Sequence, residues 1–346
     1  MDITLKELTV KLSETMSISG YEAKYFAEIH DIIAPYFDEY KTDNAHNHLF
    51  IKRCGKKNPP KLLISTHFDE IGMIVKEIKD DGFLSVINLG GIDTRIMPAS
   101  EVIIYGAKTI TGIVVSTPPH LQTPDDSKKL PKITEILIDT GYPKDELETF
   151  VELGTPVGFK PMSDELLNGK LVGKGFDNKS CCAIAIKAIA ELDMSEVDFD
   201  IYVLLSAKEE TSLLGAKVGA FGINPDVAII MDVEFARTPD TSKLETCVMG
   251  EGATIAISTT THRELTKLFT MFASNHKLKL QQIVSITRTG TDNDAIAYGL
   301  YGVPSIVVSL PLKNMHTYSE IVSLDDMENF VTLLSEYIKG GLPSCF

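Results

Sequence analysis

Four apolar runs of strand length are each followed closely by a histidine or an acid. KLLIST (61–66) is followed by His67 and DIYVLLS (200–206) by Glu209 and Glu210. DVAIIM (226–231) is followed by Asp232, and PSIVVSL (304–310) by His316 a few residues on. Runs of this kind read as buried strands, and from about residue 163 they alternate with segments of helical period. Lys179–Leu192 places Cys182, Ala185, Ile186, Ile189 and Leu192 along one face, and Arg263–His276 has the same period. A last helix opens at Ser323, with Asp326 three residues on as an acidic variant of the capping box. It continues through Met327, Phe330, Val331, Leu334 and Ile338. This alternation is the pattern of an α/β sandwich.

The rest of the chain is organised differently. Residues 4–15 and 21–37 carry apolar residues at helical spacing, with Ser19 and Gly20 as the break between them. From about 72 to 160, GMIVKEI, FLSVINL, EVIIYG and TGIVVS are separated by Gly, Asp and Pro turns, the spacing of a small all-β module. The stretch 118–132, rich in Pro and charge, reads as an exposed loop. At 346 residues the chain has the length of about two domains.

In open α/β sheets, sites form beyond the carboxyl ends of the strands. Five segments deliver ligand-type residues to that edge: His67, Asp177 (ahead of a helix), Glu209–Glu210, Asp232 and His316. Nitrogen and oxygen donors of this kind suit Zn²⁺ or Co²⁺, with Mn²⁺ also accommodated. One catalytic zinc ion needs three protein ligands, whereas five ligands serve two ions if one carboxylate bridges them. Two such ions can share a hydroxide and polarise a carbonyl. One half of the glutamate pair is then free to act as general base. None of these ligands falls between His67 and Asp177, so a second domain is an insertion within the first. The expected architecture is a mixed-sheet α/β/α domain, residues 1–71 and 163–346, with a small β-barrel-like domain inserted at 72–162.

Composition excludes several classes. The net charge of −15 repels phosphate, which argues against a nucleic-acid or anionic-membrane partner and suits metal ions or amine-bearing substrates. The five cysteines are odd in number and form no CxxC pair, which points to a reducing compartment. Cys181 and Cys182 lie in an apolar run, where core packing is the ordinary expectation. The first residues carry no hydrophobic signal core, and no run of apolar residues is long enough to span a bilayer. A soluble cytoplasmic protein is expected.

Taken together, THFDEIGM (66–73), PPHL (118–121), LVGKGFDNKSCCA (171–183), SAKEETSLLGA (206–216), MDVEFA (231–236), TGTDNDAIA (289–297) and SLPLKNMHTYSEIV (309–322) resemble the glutamyl/deblocking aminopeptidases, the tetrahedral dinuclear metallo-aminopeptidases. SISGYE (17–22) extends the likeness. The resemblance implies a metallopeptidase catalytic domain in which His67, Asp177 and Asp232 hold one ion. Asp177 (bridging), Glu210 and His316 hold the other. It implies Glu209 as general base and Asp69 as acceptor of a hydrogen bond from the His67 imidazole. The substrate would be a peptide with a free N-terminus, and the particle a dodecameric homo-oligomer assembled through the insert. Two departures stand out. Asp177-Asn178-Lys179 replaces the family's usual Asp-Asp-Arg, and Arg237-Thr238-Pro239-Asp240-Thr241 follows Asp232 where the family often has Gly-Asp-Thr-Pro-Gly.

Each residue taken singly has an ordinary reading. His67 could be a satisfied strand-end histidine, the glutamates a solvated helix start, Asp177 a cap and Asp232 a turn residue. Asp292 could shape the site or meet the substrate amine, Asp294 could serve only a turn, and His120 reads as a loop residue. A carboxypeptidase or deacylase could use the same site. Substrate carboxylates favour arginine forks, though, and of the five arginines only Arg237 and Arg288 lie near motif segments. Either could favour acidic side chains. A glycan hydrolase would leave the two histidines unexplained, and a non-catalytic assembly module has no use for six site residues.

Overall fold

The computed structural model describes residues 1–122, 130–285, 288–299 and 301–341. Cys345 and part of the expected loop at 118–132 lie outside the described residues. Helix α1 (Leu5–Glu14) is capped reciprocally: Thr4 accepts from the Glu7 N–H, and the Glu7 carboxylate accepts from the Thr4 N–H. The segment expected as one helix over 21–37 is instead a 3-10 turn (Glu22–Tyr25), helix α2 (Ala27–Ile33) and a second 3-10 turn (Ala34–Tyr36). Pro35 has no N–H with which to continue α2, so the chain tightens and turns there.

Strands β1 (Glu39–Thr42) and β2 (His48–Lys52) pair antiparallel, and β3 (Lys61–His67) follows. The chain then leaves this sheet. Strands β4 (Gly72–Ile78), β5 (Leu84–Leu89), β6 (Glu101–Tyr105), β7 (Thr109–Val114), β8 (Leu137–Asp139) and β9 (Pro156–Phe159) close into an antiparallel barrel of order β4-β5-β8-β7-β6-β9. Helix α3 (Lys144–Leu147) precedes the last of them. Along β7, Ile110, Gly112 and Val114 are buried while Thr109, Thr111 and Ile113 are exposed, the period-2 pattern that fills a small barrel. This core, with Met73, Val86, Val102 and Val157, is separate from that of the main sheet.

Beyond the barrel come β10 (Ser163–Leu166), β11 (Lys170–Gly173), α4 (Phe176–Ala190), β12 (Asp200–Ser206), α5 (Glu209–Ser212) and α6 (Leu214–Ile223). They are followed by β13 (Val227–Phe235), β14 (Ala253–Ile257), α7 (Arg263–Asn275) and β15 (Leu280–Val284). The last elements are α8 (Asn293–Ile296), β16 (Ser305–Leu312), β17 (Glu320–Ser323) and α9 (Leu324–Lys339). Eight strands form one mixed sheet of order β1-β2-β12-β3-β13-β16-β14-β15, in which β12, β3, β13 and β16 run parallel. Ile201, Val203 and Leu205 of β12 face the layer of α1, α4, α7 and α9, while Tyr202 and Leu204 face α6 and α8. Burial on both faces is why these strands read as unbroken apolar runs.

Two local expectations need correction. Strand β13 continues to Phe235, so Asp232 stands within the strand rather than after it. At α9, Ser323 makes no side-chain cap bond. The Asp326 carboxylate is already engaged by the N–H groups of Gly250 and Gly252, at 2.6 and 2.7 Å, and ties down that loop instead. Among the described residues, no helix is long and apolar enough to cross a membrane.

Candidate metal centre

Parallel pairing brings the ligand-type residues to one edge. His67 ends β3 opposite Ser206 at the end of β12, and Glu209 and Glu210 open α5 just beyond. Asp232 lies opposite Ser309 of β16, and His316 stands on the loop from β16 to β17. Asp177 precedes the regular part of α4. It and Asn178 have non-helical torsions (φ −78°, ψ 103° and φ −118°, ψ 23°), so they stand outside the helix proper, and the Asp177 carboxylate reaches His67 at the end of β3.

The distances divide these residues into two groups. His67 Nε2 is 3.1 Å from Asp177 Oδ1 and 3.7 Å from Asp232 Oδ1. His316 Nε2 is 3.3 Å from Asp177 Oδ2 and 3.4 Å from Glu210 Oε2. Within each group, His67–Asp177–Asp232 and Asp177–Glu210–His316, one donor atom per residue lies within 4.8 Å of the others. Asp177 belongs to both, with one oxygen for each. Glu209 belongs to neither, although its Oε2 stands 3.8 Å from His67 Nε2.

Both imidazoles are oriented by main chain. His67 Nδ1 lies 3.0 Å from the Asp69 carbonyl and His316 Nδ1 3.0 Å from the Gly91 carbonyl. In each ring Nδ1 therefore carries the proton, and Nε2 faces the carboxylates. The expected Asp69–imidazole contact is thus made by the Asp69 main chain, and its side chain is 3.7 Å away. The Asp69 carboxylate instead accepts the main-chain N–H of Glu209 (2.9 Å) and Glu210 (3.1 Å). A Cβ at Gly91 would come within 2.9 Å of His316 Nδ1, so the barrel's β5–β6 loop presses on this imidazole. His316 (φ +62°) and Lys208 (φ +59°) both hold left-handed torsions beside the site.

One contributor was not singled out from sequence. Glu320 accepts the N–H of Asp177 (3.0 Å) and of His316 (2.9 Å), and so ties together two members of one group. Its position follows from the pairing of Gly173 in β11 with Glu320 in β17. Its only sequence signal was a place inside the SLPLKNMHTYSEIV motif. The departure at Lys179 is also accounted for. This fully buried lysine pairs with Glu70 (3.2 Å), which also meets Lys174 (2.6 Å), and donates to the Thr15 carbonyl (2.7 Å).

Asp292 is buried behind the site, accepting from Ser65 (2.8 Å) and Ser206 (2.5 Å), while Asp294 holds the 289–290 turn. His120 is exposed. A cleft of about 710 Å³ opens over the cluster, walled by Val233, Glu234, Phe235, Arg288 and Thr289 among others; Arg237 is not part of the wall.

Electrostatically the cluster is short of cations. Burial works against the His67 imidazolium, but Glu209, Asp177 and Asp232 outweigh it and hold its pKa well above the usual value. Burial, reinforced by Asp232 and Asp292 against the pull of His67, pushes Glu209 up to about 9. Glu210 is raised well above its usual range by burial and by Asp177. Acids this crowded hold protons where a divalent ion would serve better. The donor set, two oriented imidazoles with carboxylates around them, fits two such ions.

The model of the M42 glutamyl aminopeptidase family matches residues 47–333. A lysyl aminopeptidase of Pyrococcus furiosus is 29% identical over 346 residues, covering 98% of each chain. The TET aminopeptidase of a marine-sediment Thaumarchaeota archaeon superposes with a TM-score of 0.90 at 28% identity, over 97% of this chain and 96% of that one. The TET1 peptidase of Pyrococcus horikoshii, described as assembling into a tetrahedron or a large octahedral shell, gives 0.85 at 26% identity, over 97% and 99%.

Proposed function

The chain belongs to the M42 glutamyl aminopeptidase family, and on that premise we propose that it is a dinuclear metallo-aminopeptidase acting on peptides with a free N-terminus. The observation that carries this reading is that Asp177 offers one oxygen to each of two separate histidine–carboxylate groups. His67, Asp177 and Asp232 would hold one ion; Asp177, Glu210 and His316 would hold the other. Zn²⁺ and Co²⁺ fit these donors best. Bound there, the ions would acidify a water and polarise the first peptide carbonyl.

The chain's own residues supply the rest. Glu209 has no place in either ligand group, so its carboxylate is free to take a proton from the attacking water and return it to the departing amine. Asp69 holds the main chain of the glutamate pair, which fixes where that carboxylate stands. The carboxylates around the cleft suit the free α-amine of the substrate. We read 72–162 as a domain inserted between 1–71 and 163–346. The tetrahedral shell of the Pyrococcus horikoshii relative supports a dodecamer here, since tetrahedral symmetry generates one from a single kind of chain. The free cysteines Cys54, Cys181, Cys182 and Cys247 support a reducing, cytoplasmic setting.

Matched peptides with free and N-acetylated termini test the reading. Cleavage of the free peptide alone, abolished by a chelator and restored by Zn²⁺ or Co²⁺, is expected. Cleavage of only the acetylated peptide would favour a deacylase instead.

A further inference from the structure

At the front of α4, three side chains close on the strands that carry ligands. Asn178 Nδ2 donates to the Met231 carbonyl at 2.9 Å. The Cys181 thiol donates to the Asp232 carbonyl, with Sγ 3.0 Å from the oxygen. The adjacent Cys182 thiol donates to the His67 carbonyl, with Sγ at 3.1 Å. All three residues are buried. Carbonyl oxygens only accept, so both sulfurs are S–H donors.

A buried cysteine ordinarily packs as a small hydrophobe, which is what the apolar run around this pair suggested. The contacts are more selective than packing requires. Successive helical residues point about 100° apart, so Cys181 and Cys182 reach two different strands, β13 and β3, which are parallel neighbours in the sheet. Each thiol ends on the main chain of a residue in the His67–Asp177–Asp232 group. The third member, Asp177, lies just ahead of the regular part of the same helix. The other group's own members, Glu210 and His316, receive no bond from either sulfur.

We propose that Cys181 and Cys182 are positioning residues for one ion: through the carbonyls of Asp232 and His67 they set the separation of that ion's outer ligands from Asp177. The proposal rests on reading His67, Asp177 and Asp232 as ligands of a single ion. Asn178 extends the same grip by one residue, with a bond that the aspartate usual in the family has no N–H to make.

Calorimetric titration of the metal-stripped protein with Zn²⁺ tests it. Native protein should take up two ions. The Cys181→Ala/Cys182→Ala and Cys181→Val/Cys182→Val pairs should bind one ion about tenfold more weakly, the loss usual when a group behind a metal ligand is removed. The other ion should be bound as in native protein. Cys181→Ser/Cys182→Ser keeps both donors and should stay close to native affinity. A purely structural role would lower thermal stability in all three without separating Ser from Val or one ion from the other. Native affinities for both ions in the Ala and Val pairs, or equal weakening of both ions, overturns the proposal. Should the double variants fail to fold, Cys182→Ser and Cys182→Val make the same comparison singly. Failure of native protein to bind zinc overturns the metal reading itself, and the clamp with it.

Discussion

The Asp69 carboxylate accepts the main-chain N–H of Glu209 at 2.9 Å, so the acid two residues after His67 fixes the backbone of the proposed base. Asp69→Asn replaces one of the two acceptor oxygens with an N–H donor, leaving either Glu209 or Glu210 unanchored. We expect kcat/KM to fall about 10–100-fold, as for other groups that orient a metal site. Unchanged activity in a folded variant would show that the anchor is dispensable.

Glu209→Gln keeps the shape of the side chain and removes its basicity. Turnover should drop by about 10²–10⁴-fold, the contribution general of a positioned base. Metal content should stay native, because Glu209 belongs to neither ligand group. Steady-state kinetics beside elemental analysis of the same sample checks both halves. Loss of an ion would reassign Glu209 as a ligand.

The proton balance of the metal-free cluster gives a pH dependence with a definite sign. Burial first, then Asp232 and Asp292, push Glu209 up to about 9 from an ordinary 4.5. Its stabilising contribution is therefore present below about pH 4.5 and lost as pH rises through about 9. His67 and His316 are also raised above 6.5, so their contributions fade in the same direction. Divalent ions need deprotonated ligands, so their stabilising effect grows over the same range. The difference in Tm between metal-loaded and metal-stripped protein should widen with pH; a constant difference would contradict the balance.

Glu70 sits between Lys174 and Lys179 in the interior, and Glu70→Gln leaves two buried ammonium groups without their carboxylate. Denaturant unfolding should show a loss of about 3–5 kcal/mol. A change well under 1 kcal/mol would mean that the lysines find other partners.

Arg288 is the one arginine in the wall of the cleft. Arg288→Ala should lower kcat/KM for peptides with an acidic first residue by about tenfold or more, the cost of a lost charged hydrogen bond. Peptides with leucine first should be little affected. Equal effects on both would remove Arg288 from side-chain selection.

Much of this site was legible because parallel strands buried on both faces leave plain apolar runs, with His67 at the end of one and Glu209–Glu210 just past the end of another. Side chains acting on the main chain left no such trace. Asp69 looked like a partner for the imidazole two residues earlier, but spacing cannot say whether a carbonyl or a carboxylate makes that bond. Glu320 depends on the register of β11 with β17, a pairing between strands far apart in sequence. The diversion of Asp326 to Gly250 and Gly252 shares that cause, local pattern yielding to a tertiary contact, whereas the break near Pro35 is local and follows from its missing N–H.

The central claim is that one carboxylate, Asp177, joins two ion sites. Counting bound metal per chain in native protein and in folded Asp177→Ala tests it most directly. Two ions per native chain and none retained by the variant is the predicted result. Full metal content in Asp177→Ala, or a single ion in native protein, would contradict it.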